Sequence, residues 1–339
     1  PWALKMPLGH LVDLIWRWKA ILVYLGATLI SISLLIMYGL IAHTAAMRDT
    51  MPVEAWFVLS VILSPIGYVL QDVVADAMTV EAVPTHDDQG QPRSEHDIKV
   101  QHTTMQTLGR FAIIFGLALV ASLNITMFSG VEKLNPAQKA DIYATIYLAA
   151  LIVPIVSIAG ITLNQIQLHL RRRKLLSAGL AAQTVENLIY PAPEDTKPNW
   201  WILGGTAVFA AFVIAMGLAN IPFNQEIIFA GSSAIIIFLM SRLVQEISPA
   251  KARMLVGTAV IIFVFRTVPL PGPGLIWFEI DVLGFDQQFL SVLALITSVL
   301  TLVGMIVLRP LMANRSIAYI VVLLTVAAGI LSLPNIGLY

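Results

Sequence analysis

Apolar runs of bilayer-spanning length recur from one end of this chain to the other, and they limit what it can fold into more than any motif does. A bilayer core needs about 20 consecutive apolar residues per helix. Runs of that kind occupy about residues 19–46, 53–80, 102–128, 140–169, 200–219, 225–243, 252–268, 287–308 and 316–335. The chain is 58% hydrophobic and 12% charged, with a mean hydropathy of +0.83. A soluble domain carries about 25% charged residues, so a soluble protein with buried helices does not fit. The expectation is an all-α, polytopic helical membrane protein whose first partner is the lipid bilayer.

Composition removes several chemistries. There is no cysteine, which excludes disulfides, thiolate metal sites and cysteine nucleophiles. The formal net charge is zero, so no nucleic-acid partner is expected. Six histidines are scattered without a metal-ligand spacing. No Ser-His-Asp arrangement, phosphate loop or zinc motif appears, so neither an enzyme nor a cofactor is expected. The chain opens on Pro1 and closes on "LPNIGLY", and residues 1–12 look like the tail of a helix that has lost its beginning; the expectation is a fragment.

Polar linkers divide the runs. "VPTHDDQGQPRSEHD" (83–97) and 171–199 cannot lie in hydrocarbon, and "PLPGPG" (269–274) is a Pro/Gly loop. The longest polar gap separates an N-terminal half, 1–174, from later segments. A cytoplasmic linker (175–199), an extra transmembrane pair (200–243) and a partial C-terminal half (250–339) follow. If the loop at residues 13–19, which carries Arg17 and Lys19, is cytoplasmic, alternation puts fifteen of the 20 basic residues inside and three (Arg48, Lys133, Lys139) outside, with Arg110 and Arg266 inside spans.

The segment "GYVLQDVVADAMTVEAV" (67–83) sets acids in an apolar helix. At about 100° per residue, Pro65, Tyr68, Asp72, Asp76 and Thr79 form one stripe. A charged Asp at a helix centre costs roughly 2.5–3.5 kcal/mol even on the lenient insertion scale, so the stripe should face protein or a water-filled cavity. Two carboxylates one turn apart repel in a low dielectric, and sharing a proton relieves that repulsion; a proton-coupled carrier needs that property. The structural alternative is that both acids simply pair with a neighbouring helix. Glu81 falls on the opposite side, near the predicted cytoplasmic end, where acids are often solvated. Arg110, in "TMQTLGRFAIIFG", is a candidate counter-ion or a ligand for an anionic solute, against the alternative of snorkelling. Arg266, in "FVFRTVPLPGPG", lies nearer a helix end. In "GHLVDLIWRWK" (Gly9–Lys19), Gly9 permits a tight turn and Asp13 suits a helix N-terminus. Pro65 and Pro154 are kink candidates.

These residues resemble a known family. "PWALKMPLGHLVD" is similar to the "PWxxKPxxGxxSD" element of the folate-biopterin transporter family, a branch of the major facilitator superfamily. "QDVVADAMTVEAV" resembles that family's fourth-helix signature. "WFEIDVLGFDQQFLSVLALITSVLTLVGMIVL" is similar to its seventh-to-eighth helix passage. The likeness covers most of the chain except about 175–250. It implies a major-facilitator-like bundle of two six-helix halves and proton-driven uptake of folates, pterins or related organic solutes by a monomer. It also implies a multi-pass protein of the bacterial inner membrane. Carried over by position, Asp72, Asp76 and Glu81 would serve substrate or proton coupling, while Pro1, Trp2, Lys5, Gly9 and Asp13 match the cytoplasmic gating loop. Arg110 and Arg266 align by helix only. Met6 and Pro7 shift the loop's "KP" by one, Ser291 stands where the family has Gly, and the pair at 200–243 is additional. The family's first helix and last three have no counterpart here. An exporter on the same scaffold and a non-transporting membrane protein are the competing readings.

Overall fold

Residues 20–42, AILVYLGATLISISLLIMYGLIA, contain no charge and no proline, and they form one unbroken helix. In hydrocarbon a backbone must satisfy its own polar groups, and a helix does so within one segment. The same logic runs through the chain. The computed structural model describes residues 5–81, 83, 93–131, 134–179, 181–189, 198–219, 221–245, 248–266, 273–315 and 317–338. Among them the regular elements are all helical: α1 (Lys5–Leu14), α2 (Ala20–Ala42), α3 (Thr44–Thr50), α4 (Val53–Glu81), α5 (Glu95–Met127), α6 (Pro136–Ala150), α7 (Ile152–Ser177), α8 (Ala182–Ile189), α9 (Trp200–Leu218), α10 (Asn224–Gln245), α11 (Pro249–Arg266), α12 (Pro273–Asp281), α13 (Gln287–Asn314) and α14 (Ile317–Ser332).

Seven helical stretches among the described residues are long and apolar enough to cross a membrane: Ala20–Ala42, Val53–Val80, His96–Met127, Pro136–Ser177, Trp200–Gly217, Asn224–Arg242 and Gln287–Leu311. The protein is an all-α, multi-pass membrane protein. Expected spans at 252–268 and 316–335 coincide with α11 and α14, but α11 carries Lys251, Arg253 and Arg266, and α14 has only 16 residues. Large apolar side chains line the helix surfaces, as on α5, where Leu108, Phe115, Leu117 and Leu119 are exposed. A water-facing helix would not present such a surface.

Local chemistry explains the helix ends. Ser94 caps α5 by accepting the Asp97 N–H at 3.1 Å. Asn135 and Gln138 cap α6 reciprocally, with Pro136 in its first turn. Asn199 caps α9 by accepting from the N–H groups of Trp201 and Ile202. The fourth expected span is broken between Ala150 and Ile152, with Pro154 just beyond the break. Proline lacks the N–H that a continuous helix would bond to the carbonyl at Ala150. Pro65, the other kink candidate, is accommodated inside α4 without interrupting it.

The chain forms two compact units. The first comprises residues 1–82 and 134–271; the second comprises 83–133 and 272–339. In the first, α2 packs along α4, and α1, α6 and α7 add to that pair. Its core is Val12 of α1, Leu22 and Val23 of α2, Val69, Leu70, Val73 and Val74 of α4, and Ile161 of α7. Two contacts fix the α2–α4 crossing. Gly26 meets Gly67 so closely that a Cβ on either would fall within about 2.6 Å of the other's carbonyl oxygen. Seven residues along each helix, the buried hydroxyls of Ser33 and Ser60 bond each other and each other's carbonyls at 2.9–3.1 Å. Small residues that let backbones approach and hydroxyls that bond across helices are the means of packing where lipid removes the hydrophobic drive. In the second unit α5 packs on α13, and the buried residues on these helices include the small Ala118 and Ala121 of α5 and Ser291 and Ser298 of α13.

Candidate functional site

The apolar side of α4 follows helical spacing: Val69 and Val73, then Leu70 and Val74, are buried. That burial turns the acidic stripe toward α1. Asp72 is mostly covered, its side chain 17% exposed, while Asp76 one turn on is 64% exposed. The Lys5 ammonium reaches both, with Nζ 2.7 Å from Asp72 Oδ2 and 2.6 Å from Asp76 Oδ2. One cation therefore sits between two anions and offsets their repulsion, leaving the cluster one negative charge in excess.

Depth along α4 separates its acids. Gly67 is the midpoint of the 29 residues. At 1.5 Å per residue, Asp72 lies about 7.5 Å, Asp76 about 13.5 Å and Glu81 about 21 Å from it. Were that midpoint the centre of a core about 30 Å thick, Asp72 would lie within the hydrocarbon, Asp76 near its edge and Glu81 outside it.

The remaining candidates distribute as follows. Thr79 closes the stripe, but its hydroxyl donates to the Asp76 carbonyl at 2.7 Å, within its own helix. Tyr68, one turn before Asp72, is 44% exposed. Glu81 ends α4 and Arg266 ends α11; their side chains lie outside the described residues, as do Pro1 and Trp2. Arg110 is on α5 in the second unit and is exposed. Within the first unit the cation that engages the acids is Lys5, a partner the sequence did not suggest.

Lys5, Gly9 and Asp13 are not in a loop. All three lie on α1, and the turn expected at Gly9 does not form there. The residues Leu8, Leu11, Val12 and Ile15 supply an apolar face at helical spacing, Val12 is 1% exposed, and helix continues through the glycine. The chain turns instead at the 3-10 segment Trp16–Trp18. Asp13 is exposed in the last turn of α1 rather than at a helix N-terminus.

Two arrangements were not expected from sequence. The His10 imidazole Nε2 accepts the Asn199 backbone N–H at 2.8 Å, tying α1 to the start of the additional pair. On the linker, Glu186 of α8 accepts Arg17 at 2.8 Å through one carboxylate oxygen and pairs with Arg172 at 2.9 Å through the other. Val185 and Ile189 of α8 are buried beneath. Their i, i+4 spacing in "AQTVENLI" is the signal that marks this helix inside a polar linker.

Comparison with protein-family models, with curated proteins and with solved structures gave no match.

Proposed function

We propose that the chain is a secondary active transporter of the bacterial inner membrane. It takes up a folate-like, pterin-like or related organic solute together with protons, by alternating access, with the Arg17–Lys19 loop on the cytoplasmic side. The observation that carries this reading is the Lys5 ammonium held between Asp72 and Asp76 on a membrane-crossing helix. Ionisable groups at such depth are expensive and belong to ion or substrate paths.

The charge arithmetic supports proton coupling. With both acids ionised, the cluster holds one positive and two negative charges. One proton brings it to neutrality, the state that costs least when water is excluded. Asp76 is the more exposed acid, and loss of its contact would leave Lys5 with Asp72 alone. The grip of α1 on α4 is then weaker, which links proton uptake to a movement of helices. On this reading Arg110 or Arg266 meets a carboxylate of the solute.

The test is uptake of labelled folate, biopterin and related solutes by vesicles containing the chain, with and without an imposed pH gradient. Accumulation should require the gradient, and D72N and D76N should each abolish it while expression is kept. Wild-type uptake in both variants would remove the acids from the mechanism. Gradient-driven movement outward only would make the protein an exporter instead.

A further inference from the structure

The α9–α10 hairpin carries a groove of about 520 Å³, within the range of small-molecule sites. Trp200, Trp201, Gly205, Val208, Ala234 and Phe238 line it. Gly204 also lines it: a Cβ on Gly205 would run into the Leu239 side chain, so that glycine lets α10 pack close, while one on Gly204 would meet nothing within 4 Å. Its walls are apolar, and the neighbouring outer surface exposes Val208, Ile214 and Ile237.

One end of the groove is different. The Arg242 guanidinium lies 4.8 Å from the Trp201 ring centre and 5.4 Å from that of Phe238. Trp201 and Phe238 meet edge to face at 5.8 Å, so the two rings and the cation form one rigid mouth. Among the described residues no carboxylate pairs with Arg242. Trp200 opens α9 and Arg242 stands in the last turn of α10, so aromatic and cation share one end of an antiparallel hairpin. Tryptophan and arginine at a span's end belong at headgroup level.

We propose that this groove binds an anionic phospholipid, with an acyl chain along the glycine floor and the headgroup phosphate against Arg242. An apolar trough with a cation at its mouth that no described carboxylate pairs with matches a molecule that has a chain and a phosphate. A zwitterionic lipid offers the phosphate with a cation of its own, which Arg242 would repel.

The full chain in nanodiscs is exposed to two photoreactive phospholipids, each with a diazirine on the acyl chain. One has a phosphatidylglycerol headgroup and the other phosphatidylcholine. Labelling mapped by peptide mass spectrometry should favour the anionic probe on residues 200–208 and 234–242 by about fivefold, the weight of one basic side chain beside an anionic lipid. R242Q should erase the preference and R242K restore most of it. V208W, which fills the trough and leaves Arg242 in place, should lower labelling by both probes. Equal labelling by the two headgroups, an unchanged preference in R242Q, or cross-links at this face to a second copy of the chain would each overturn the proposal.

Discussion

The Gly26–Gly67 contact gives the most quantitative prediction. A Cβ on Gly67 would stand 2.5 Å from the Gly26 carbonyl oxygen, 2.9 Å from Ile30 Cγ1 and 3.2 Å from the Ile30 nitrogen. Two of these three are backbone atoms, which cannot swing aside. Ordinary contact begins near 3.4 Å, so α2 and α4 must separate by about 0.9 Å. Overpacking of this kind costs about 1–3 kcal/mol. The separation also reaches Ser33 and Ser60, about 10.5 Å along the helices, and stretches hydroxyl contacts of 2.9 Å beyond hydrogen-bonding range. Each interhelical bond in a membrane contributes about 0.6 kcal/mol. G67A should therefore lose about 2–4 kcal/mol, and G26A, whose Cβ meets the Gly67 oxygen at 2.6 Å, a similar amount. In G26A/G67A the helices are already apart, so the double variant should lose at least about 1 kcal/mol less than the two singles together. Equilibrium unfolding in mixed micelles reads all three. G9A is the control: a Cβ there meets nothing within 4 Å, and alanine in a helix gains up to about 1 kcal/mol over glycine. A G67A loss below about 0.5 kcal/mol, or strict additivity in the double variant, would refute close packing as the determinant of this crossing.

Three further outcomes concern α8 and the start of α9. Val185 is 0% exposed, so V185A should destabilise α8 by about 1.5 kcal/mol and speed hydrogen exchange of its amides about tenfold. E186Q should change exchange by less than about threefold, because Arg17 and Arg172 are 63% and 45% exposed and such pairs contribute little. At the start of α9, N199A should cost about 1 kcal/mol and accelerate exchange at Trp201 and Ile202, which lose the cap that accepts from them.

Much of the fold was legible because one rule dominates: a backbone in lipid must form long helices or closed barrels. The expected spans fall on helical segments, the fourth split in two near Pro154, where an N–H is missing. The acidic stripe was legible for the same reason, since helical spacing alone places Asp72 and Asp76 together. Its partner was not. Lys5 is 67 residues away from Asp72, and periodicity says which face a residue occupies without saying which helix stands opposite. Arg110 is the cation on the next helix in sequence, and that helix packs with α13 inside the second unit. The helical tail expected at residues 1–12 is present from Lys5 onward as α1; the loop expected from Gly9 was misplaced because the glycine signals a turn locally, whereas the buried face at Val12 outweighs it. The Glu186 bridge joins residues 169 apart, a pairing that no local pattern encodes.

One consequence of α1 concerns mechanics. Ten residues make a rod about 15 Å long, too short to bend, and it is fastened at Lys5 to α4 and at His10 to the amide beside α9. A rigid bar with two fixings turns as a single piece: rolling it enough to free the ammonium also drags on the foot of the neighbouring hairpin.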